Sequence, residues 1–290
     1  MSSPGYLLGR VRSREGRLLT AADWQKYQTA ADLADWLSRL QNTDYAAAAE
    51  HAGTYEQFEK YLNQELQNLR EDLFAQKYPF AELFWQKYDL HNLKILLKEK
   101  LTGQDLNRYL LPLGQDSLAA FDRQTVREAE AVYARTLDFC RMDYFLDQTY
   151  LRWLSKRSAG LGRAVKAYAR AQIDAANFKL WYSGAAPGYA YFAGGGVSVS
   201  LLAQGTPQET LRACFPGITP PEEFNDGAVE KALEDYASRL LFAGRYACDI
   251  AAVFCYLLSK ENEIKNLKTM YLRQSRQLAG LQSCLRAAYV

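Results

Sequence analysis

Two pairs of carboxylates stand close enough in sequence for acid–base chemistry: Asp143 with Asp147, and Glu261 with Glu263. Two carboxyls held apart in pKa can act as acid and base, but they need a nucleophile, a metal or a substrate pocket beside them. The plainer reading of both pairs is a solvated helix face. No G-x-x-x-x-G-K-[ST] loop, H-E-x-x-H helix or G-x-S-x-G elbow occurs. Gly160-Leu161-Gly162 lacks the third glycine and the strand of a dinucleotide fingerprint. With only His51 and His91, histidine-based metal chemistry is not expected. The five cysteines, Cys140, Cys214, Cys248, Cys255 and Cys284, are odd in number and irregularly spaced, with no C-x-x-C, which reads as reduced thiols in a cytosolic setting. No catalytic, cofactor-binding or metal-binding residue is therefore assigned.

A second chemistry is electrostatic. Arg10, Arg12, Arg14 and Arg17 make the start of the chain basic, as an exposed helix end or as a phosphate-binding arm. The whole chain nevertheless balances 35 basic against 33 acidic residues, a net charge of +2, so nucleic acid and anionic lipid have no electrostatic case as main partners. Twenty tyrosines supply rings with polar tips, suited to wet interfaces and to the rims of helix packing alike. The start of the chain is charged too early for a signal peptide. The longest apolar run, Ala247–Leu258, is interrupted by Asp249 and too short to span a bilayer, so no membrane insertion is expected.

The elements that carry these residues are helical. Apolar positions recur at helical spacing over Ala31–Leu40, Tyr55–Lys77, Phe80–Lys100, Asp122–Ala159 (one long helix or a bent pair), Leu161–Tyr182 and Ala228–Arg286. Alternation of the strand kind is confined to a weak stretch at Gly196–Leu202. Breakers concentrate in Leu101–Ser117, Gly184–Pro207 and Pro216–Gly227. At 290 residues the chain suits two or three compact units.

One motif recurs along this chain. Tyr88–Glu99 reads YDLHNLKILLKE, Ile173–Gly184 reads IDAANFKLWYSG and Asn262–Arg273 reads NEIKNLKTMYLR. Aligned without gaps, they place an acid (Asp89, Asp174, Glu263), an asparagine three residues on (Asn92, Asn177, Asn266) and then a lysine (Lys94, Lys179, Lys268), at separations of 85 and 89 residues. Residues three apart share a helix face, so each acid projects with its asparagine. Asparagine is disfavoured inside helices, and a buried one needs partners, which the backbone groups of a neighbouring helix end are expected to supply. These edges serve either packing within a domain or an interface. As an interface, they are expected near domain junctions or a central cavity. The segment ELQNLR at Glu65–Arg70 nearly fits the motif but falls off the period.

The stretch YDLHNLKILLKEKLTG at Tyr88–Gly103 resembles the C subunit of archaeal and bacterial V/A-type ATPases, related to the d subunit of eukaryotic vacuolar ATPases. RVRSREGRLLT (Arg10–Thr20), ADLADWLSRLQNTDY (Ala31–Tyr45), RTLDFCRMDYFLDQTYLRWL (Arg135–Leu154) and SKENEIKNLKTMYL (Ser259–Leu272) are similar to further family segments in the expected order. The resemblance implies an all-α fold of three pseudo-symmetric helical-bundle domains, 1–115, 116–205 and 206–290, arranged as a funnel around a pseudo-threefold axis. It implies a non-catalytic rotor subunit on the cytoplasmic face of a membrane, monomeric when isolated and without cofactors, whose partners are the proteolipid ring and the central-shaft subunits. The repeat residues, with Arg10, Arg12, Asp143, Asp147 and Tyr150 as weaker candidates, are then the expected contacts. Three other readings are a generic α-helical scaffold that binds other proteins, an RNA-binding repeat protein, which the near-neutral charge disfavours, and an enzyme whose site the motifs do not reveal.

Overall fold

The computed structural model describes residues 4–75, 78, 80–184, 188–202, 205–246, 249–276 and 285–286. Among them lie thirteen α-helices and no strand. In chain order these are α1 (Pro4–Glu15), α2 (Ala21–Gln28), α3 (Leu33–Arg39), α4 (Ala46–Glu50), α5 (Tyr55–Ala75), α6 (Ala81–Thr102), α7 (Arg123–Thr136), α8 (Phe139–Ser158), α9 (Arg163–Tyr182), α10 (Val199–Leu202), α11 (Pro207–Cys214), α12 (Asp226–Phe242) and α13 (Ile250–Arg276). Two short 3-10 turns, Asn107–Tyr109 and Leu118–Ala120, shape the connection between α6 and α7.

Helix boundaries follow local chemistry. Thr20 and Thr206 each close a capping box with the acid three residues on, Asp23 and Glu209, and Pro207 occupies the first turn of α11. Asp122, Asp138 and Asn225 cap α7, α8 and α12. The expected long segment Asp122–Ala159 is a bent pair. Leu137 takes a left-handed conformation, φ 51°, and ends α7, and Asp138 restarts the chain as α8. The weak alternation at Gly196–Leu202 ends in the single helical turn α10 rather than a strand. The expected helix-rich region Ala228–Arg286 breaks after Phe242 and resumes at Ile250, and Leu285 and Arg286 lie outside any helix.

α5 is amphipathic, burying Phe58, Leu62, Leu66, Leu69 and Leu73 along one stripe. α13 is buried on every side from Ala251 to Ile264, as befits a helix surrounded by others. The apolar run Ala247–Leu258 largely becomes this core helix, and no helix among the described residues is long and apolar enough to cross a membrane. The packing of the long helices follows a closed order: α5 on α6, α6 on α8, α8 on α9, α9 on α12, α12 on α13, and α13 back on α5. α1 lies against α13, α7 against α8 and α11 against α9.

Candidate functional site

The three repeated asparagines do one job. Asn92 donates through Nδ2 to the carbonyls of Leu111 (3.0 Å) and Gln115 (2.9 Å), and the Leu111 N–H donates to its Oδ1 at 2.8 Å. Asn177 donates to Phe192 O (2.9 Å) and accepts from Phe192 N–H (2.6 Å). Asn266 does the same with Arg286, at 3.0 and 2.7 Å. A carboxamide pairs with one residue's N–H and C=O at once, so each inner helix clamps the segment that follows it. All three asparagines are buried, and an orphaned carboxamide there would be costly. Asn68, in the off-period ELQNLR, is exposed and accepts from Gln64 Nε2 at 3.0 Å.

The acids extend the clamp. Asp89 accepts from Gln115 N–H at 2.9 Å and holds the Arg70 guanidinium at 2.9 and 3.1 Å. Asp174 accepts from Gly196 N–H (2.9 Å) and Val197 N–H (3.0 Å). Two glycines the sequence shows only as helix breakers allow these approaches. A Cβ on Gly114 would stand 2.6 Å from Asn92 Nδ2, and one on Gly195 would stand 2.1 Å from Asp174 Oδ1. Gly195→Ala is therefore expected to lose about 1–3 kcal/mol in urea unfolding. Gly196→Ala, whose Cβ would meet Asp174 at an ordinary 3.5 Å, is expected to stay near wild type.

The third acid turns elsewhere. Glu263 accepts from Leu19 N–H and from the Tyr45 hydroxyl (2.6 Å), and Lys260 lies 3.4 Å away, itself 3.0 Å from Asp44. Lys260 is fully buried, its ammonium 4.8 Å from the centre of the Tyr45 ring. Burial raises the Glu263 carboxyl above its ordinary value despite Lys260 and these donors. This cluster ties the N-terminal segment and the turn after α3 to α13.

The repeated lysines each reach an acid on the helix that begins the next pair. Lys94 on α6 meets Asp147 on α8 at 2.6 Å, Lys179 on α9 meets Glu230 on α12 at 2.8 Å, and Lys268 on α13 meets Glu59 on α5 at 2.6 Å. The acids share a setting, Phe58-Glu59, Leu146-Asp147 and Val229-Glu230, each following a buried apolar residue. That second repeated signal was present in the sequence beside the first. The lysines, partly exposed, contribute about 1 kcal/mol or less apiece and serve mainly to fix orientation.

Inside this closed order lies a chain of alternating charge. Lys87 of α6 pairs with Glu261 of α13; Glu261 meets Lys265 at 3.1 Å; Lys265 meets Glu234 of α12 at 3.0 Å; and Glu234 accepts from Arg286 Nε at 2.6 Å. Burial would raise the Glu261 carboxyl, but Lys265 and Lys87 outweigh it and hold it well below the usual carboxylate range. Burial lowers Lys87 in spite of Glu261. Burial also pushes up the phenols of Tyr88, Tyr150 and Tyr168, and Glu261 adds to the effect on each. The carboxylate pair Glu261 and Glu263 is thus no solvated helix face: both are buried, one in each charge cluster.

The pattern of the ATP synthase (C/AC39) subunit family matches residues 7–272. The chain belongs to this family. It is 30% identical to the C subunit of the V-type ATP synthase of Thermus thermophilus, over 66% of this chain and 67% of that one. It is 21% identical to the C subunit of the A-type ATP synthase of Thermococcus kodakarensis and 22% identical to that of Pyrococcus furiosus, in each case over 91% of this chain and 85% of the other. The family match spans the three asparagines, their acids and the lysines; Arg286, which Asn266 holds, lies beyond it.

The weaker candidates of this family member are engaged within the chain. Arg10 pairs with Asp72, Arg12 with Glu15 (2.8 Å) and with the Arg245 carbonyl (2.7 Å), Arg14 with Glu65 (3.5 Å) and Arg17 with Asp44 (3.8 Å). Asp143 holds Lys98 at 2.7 Å, and Asp147 is the partner of Lys94. Burial holds the Asp147 carboxyl above its ordinary value in spite of Lys94. Cys140, Cys214 and Cys255 are free thiols; Cys248 and Cys284 lie outside the described residues. No cluster of His, Cys, Asp and Glu suited to a metal occurs among the described residues.

Proposed function

We propose that this chain is the non-catalytic central-stalk subunit of a V/A-type rotary ATPase, joining the central shaft to the membrane proteolipid ring and transmitting torque for ion transport. Family membership and the names of its relatives supply the complex. The observation that carries the mechanical part is the set of three lysine–acid ties, which link each helix pair to the next and the last to the first. Helix pairs joined in that order make three domains, 1–115, 116–205 and 206–290, set as a funnel about a pseudo-threefold axis.

In this reading the chain's residues resist deformation rather than perform a reaction. A torsional load on one helix pair passes to its neighbours through packed side chains, which are not continuously deformable. The asparagine clamps keep the following segments from peeling off the inner helices. The subunit sits on the cytoplasmic face without entering the bilayer, and its partners are the shaft subunits and the ring.

The test is reconstitution of the ATPase with and without this chain in sealed vesicles. Without it, ATP hydrolysis is expected to persist while ATP-driven ion transport falls to background. Undiminished transport without the chain would refute the proposal.

A further inference from the structure

α1 shows how a helix can seat on this fold. It lies in the groove between α13 and α5, with Leu7 and Val11 among Leu69, Leu73, Tyr256 and Leu257, while Arg10 and Arg14 reach the acids Asp72 and Glu65 on the α5 wall. The lysine ties relate this groove to another. Lys268–Glu59 joins α13 to α5 as Lys179–Glu230 joins α9 to α12. Aligning Glu59 with Glu230 superposes FEKYL at Phe58–Leu62 on VEKAL at Val229–Leu233, and so places Leu240 at the station of Leu69 and Tyr236 at that of Glu65. Aligning Asn266 with Asn177 places Ala167 at the station of Tyr256.

Ala167, Tyr236 and Leu240 line an open groove of about 410 Å³ between α9 and α12. No described helix fills it. Its α9 wall carries Arg163, Lys166 and Arg170, all exposed and forming no ion pair among the described residues. The matching residues of α13 are Ala252, Cys255 and Ser259, which are buried. Asp174 also lines the groove, but its carboxylate accepts from Gly196 and Val197. The residues outside the described set include no Asp or Glu, so no further side chain of this sequence can neutralise the wall.

We propose that the groove between α9 and α12 docks an acidic amphipathic helix of a partner subunit, seated as α1 is seated between α13 and α5. The charge relation is reversed: α1 brings arginines to an acidic wall, and the partner brings carboxylates to a basic one. Arg163, Lys166 and Arg170 are spaced three and four residues apart on one helix face, so the partner presents acids at matching intervals beside an apolar stripe that covers Ala167 and Leu240. The inference rests on the function proposed above, since it assigns the chemistry of one contact within that complex.

The test places a photoreactive benzoylphenylalanine at Ala167 of the full chain in the assembled complex and maps the cross-linked peptide by mass. The expected product is a helical segment of another subunit with three or more acids on one face. The charge-reversed variant R163E/K166E/R170E, shown folded by circular dichroism, is expected to lose the cross-link and to weaken assembly by roughly tenfold to a hundredfold. Retention of arginine or lysine at the three positions, as in R163K/R170K, should keep it. Cross-links to lipid, to nucleic acid, to this chain itself or to a segment without acids would overturn the proposal. So would no cross-link, or one indifferent to charge reversal. If the wild-type chain enters the complex and only the cross-link fails, the docking site alone falls. A wild-type chain that never enters the complex overturns both readings.

Discussion

Lys260→Met is expected to lower the unfolding free energy by about 3–5 kcal/mol in urea titration at pH 8, because Glu263 and Asp44 are left without their buried cation. The size of the effect reflects position. An exposed lysine tie contributes little, whereas Lys260 has no access to solvent, so nothing replaces it when it goes. The loss should shrink on acidification. Glu263 has a folded-state carboxyl raised by burial, so the native state takes up a proton before the unfolded chain does. For a raised group the stability is present at low pH and is lost as pH rises through the folded value. In the variant that raised value climbs further, and the deficit at pH 5 should be clearly smaller than at pH 8. A deficit independent of pH would refute the assignment of Lys260 as the counter-ion of Glu263. The double variant Lys260→Met with Glu263→Leu should recover part of the loss, since a paired buried charge can be replaced by apolar packing more cheaply than it can be broken.

Glu261→Gln carries the second large effect, about 2–3 kcal/mol at neutral pH, because one buried carboxylate serves both Lys87 and Lys265, which keep partial access to water. Its pH signature is opposite. Wild-type Glu261 has a depressed folded-state carboxyl, so its contribution is present above the ordinary value of 4.5 and fades as pH falls below it. In the variant Lys87 keeps its burial and loses the anion that opposed it, so its ammonium is lowered further. A lowered lysine favours the folded state as pH rises, and the deficit should therefore narrow toward pH 9. Thermal or urea unfolding of the two variants at pH 5, 7 and 9 gives opposite slopes if the two clusters are as described. Parallel slopes would contradict the pairing.

These effects bear on how much was legible in advance. The repeat Asp/Glu-x-x-Asn-x-Lys marked the residues that matter because helical spacing alone places an acid and an asparagine on one face, and because three asparagines in helix interiors need a reason. The near-copy at Asn68 falls off the period, and it is exposed. What the asparagines hold was not legible. Their partners lie 15 to 23 residues downstream, not at a neighbouring helix end as expected but in loops whose path no periodicity describes. Gly114 and Gly195 read as breakers, and only the approach of a side chain to their Cα shows that the space for a Cβ is missing.

The carboxylate pair at Glu261 and Glu263 marks the limit most clearly. Two residues apart on a helix they point in different directions, and in a surface helix both would meet water. α13 is instead enclosed by its neighbours, so each acid is delivered to a different buried cluster. The sequence by itself determined most of the long helices, the repeated motif and the family, because these depend on local spacing and side-chain type. The tertiary structure alone decided which charges are buried, which lysine meets which acid, and which groove with a basic wall the described residues leave open. Those outcomes depend on distances between helices far apart in the chain, and burial, which controls the strength of every charge interaction here, exists only once the helices have packed.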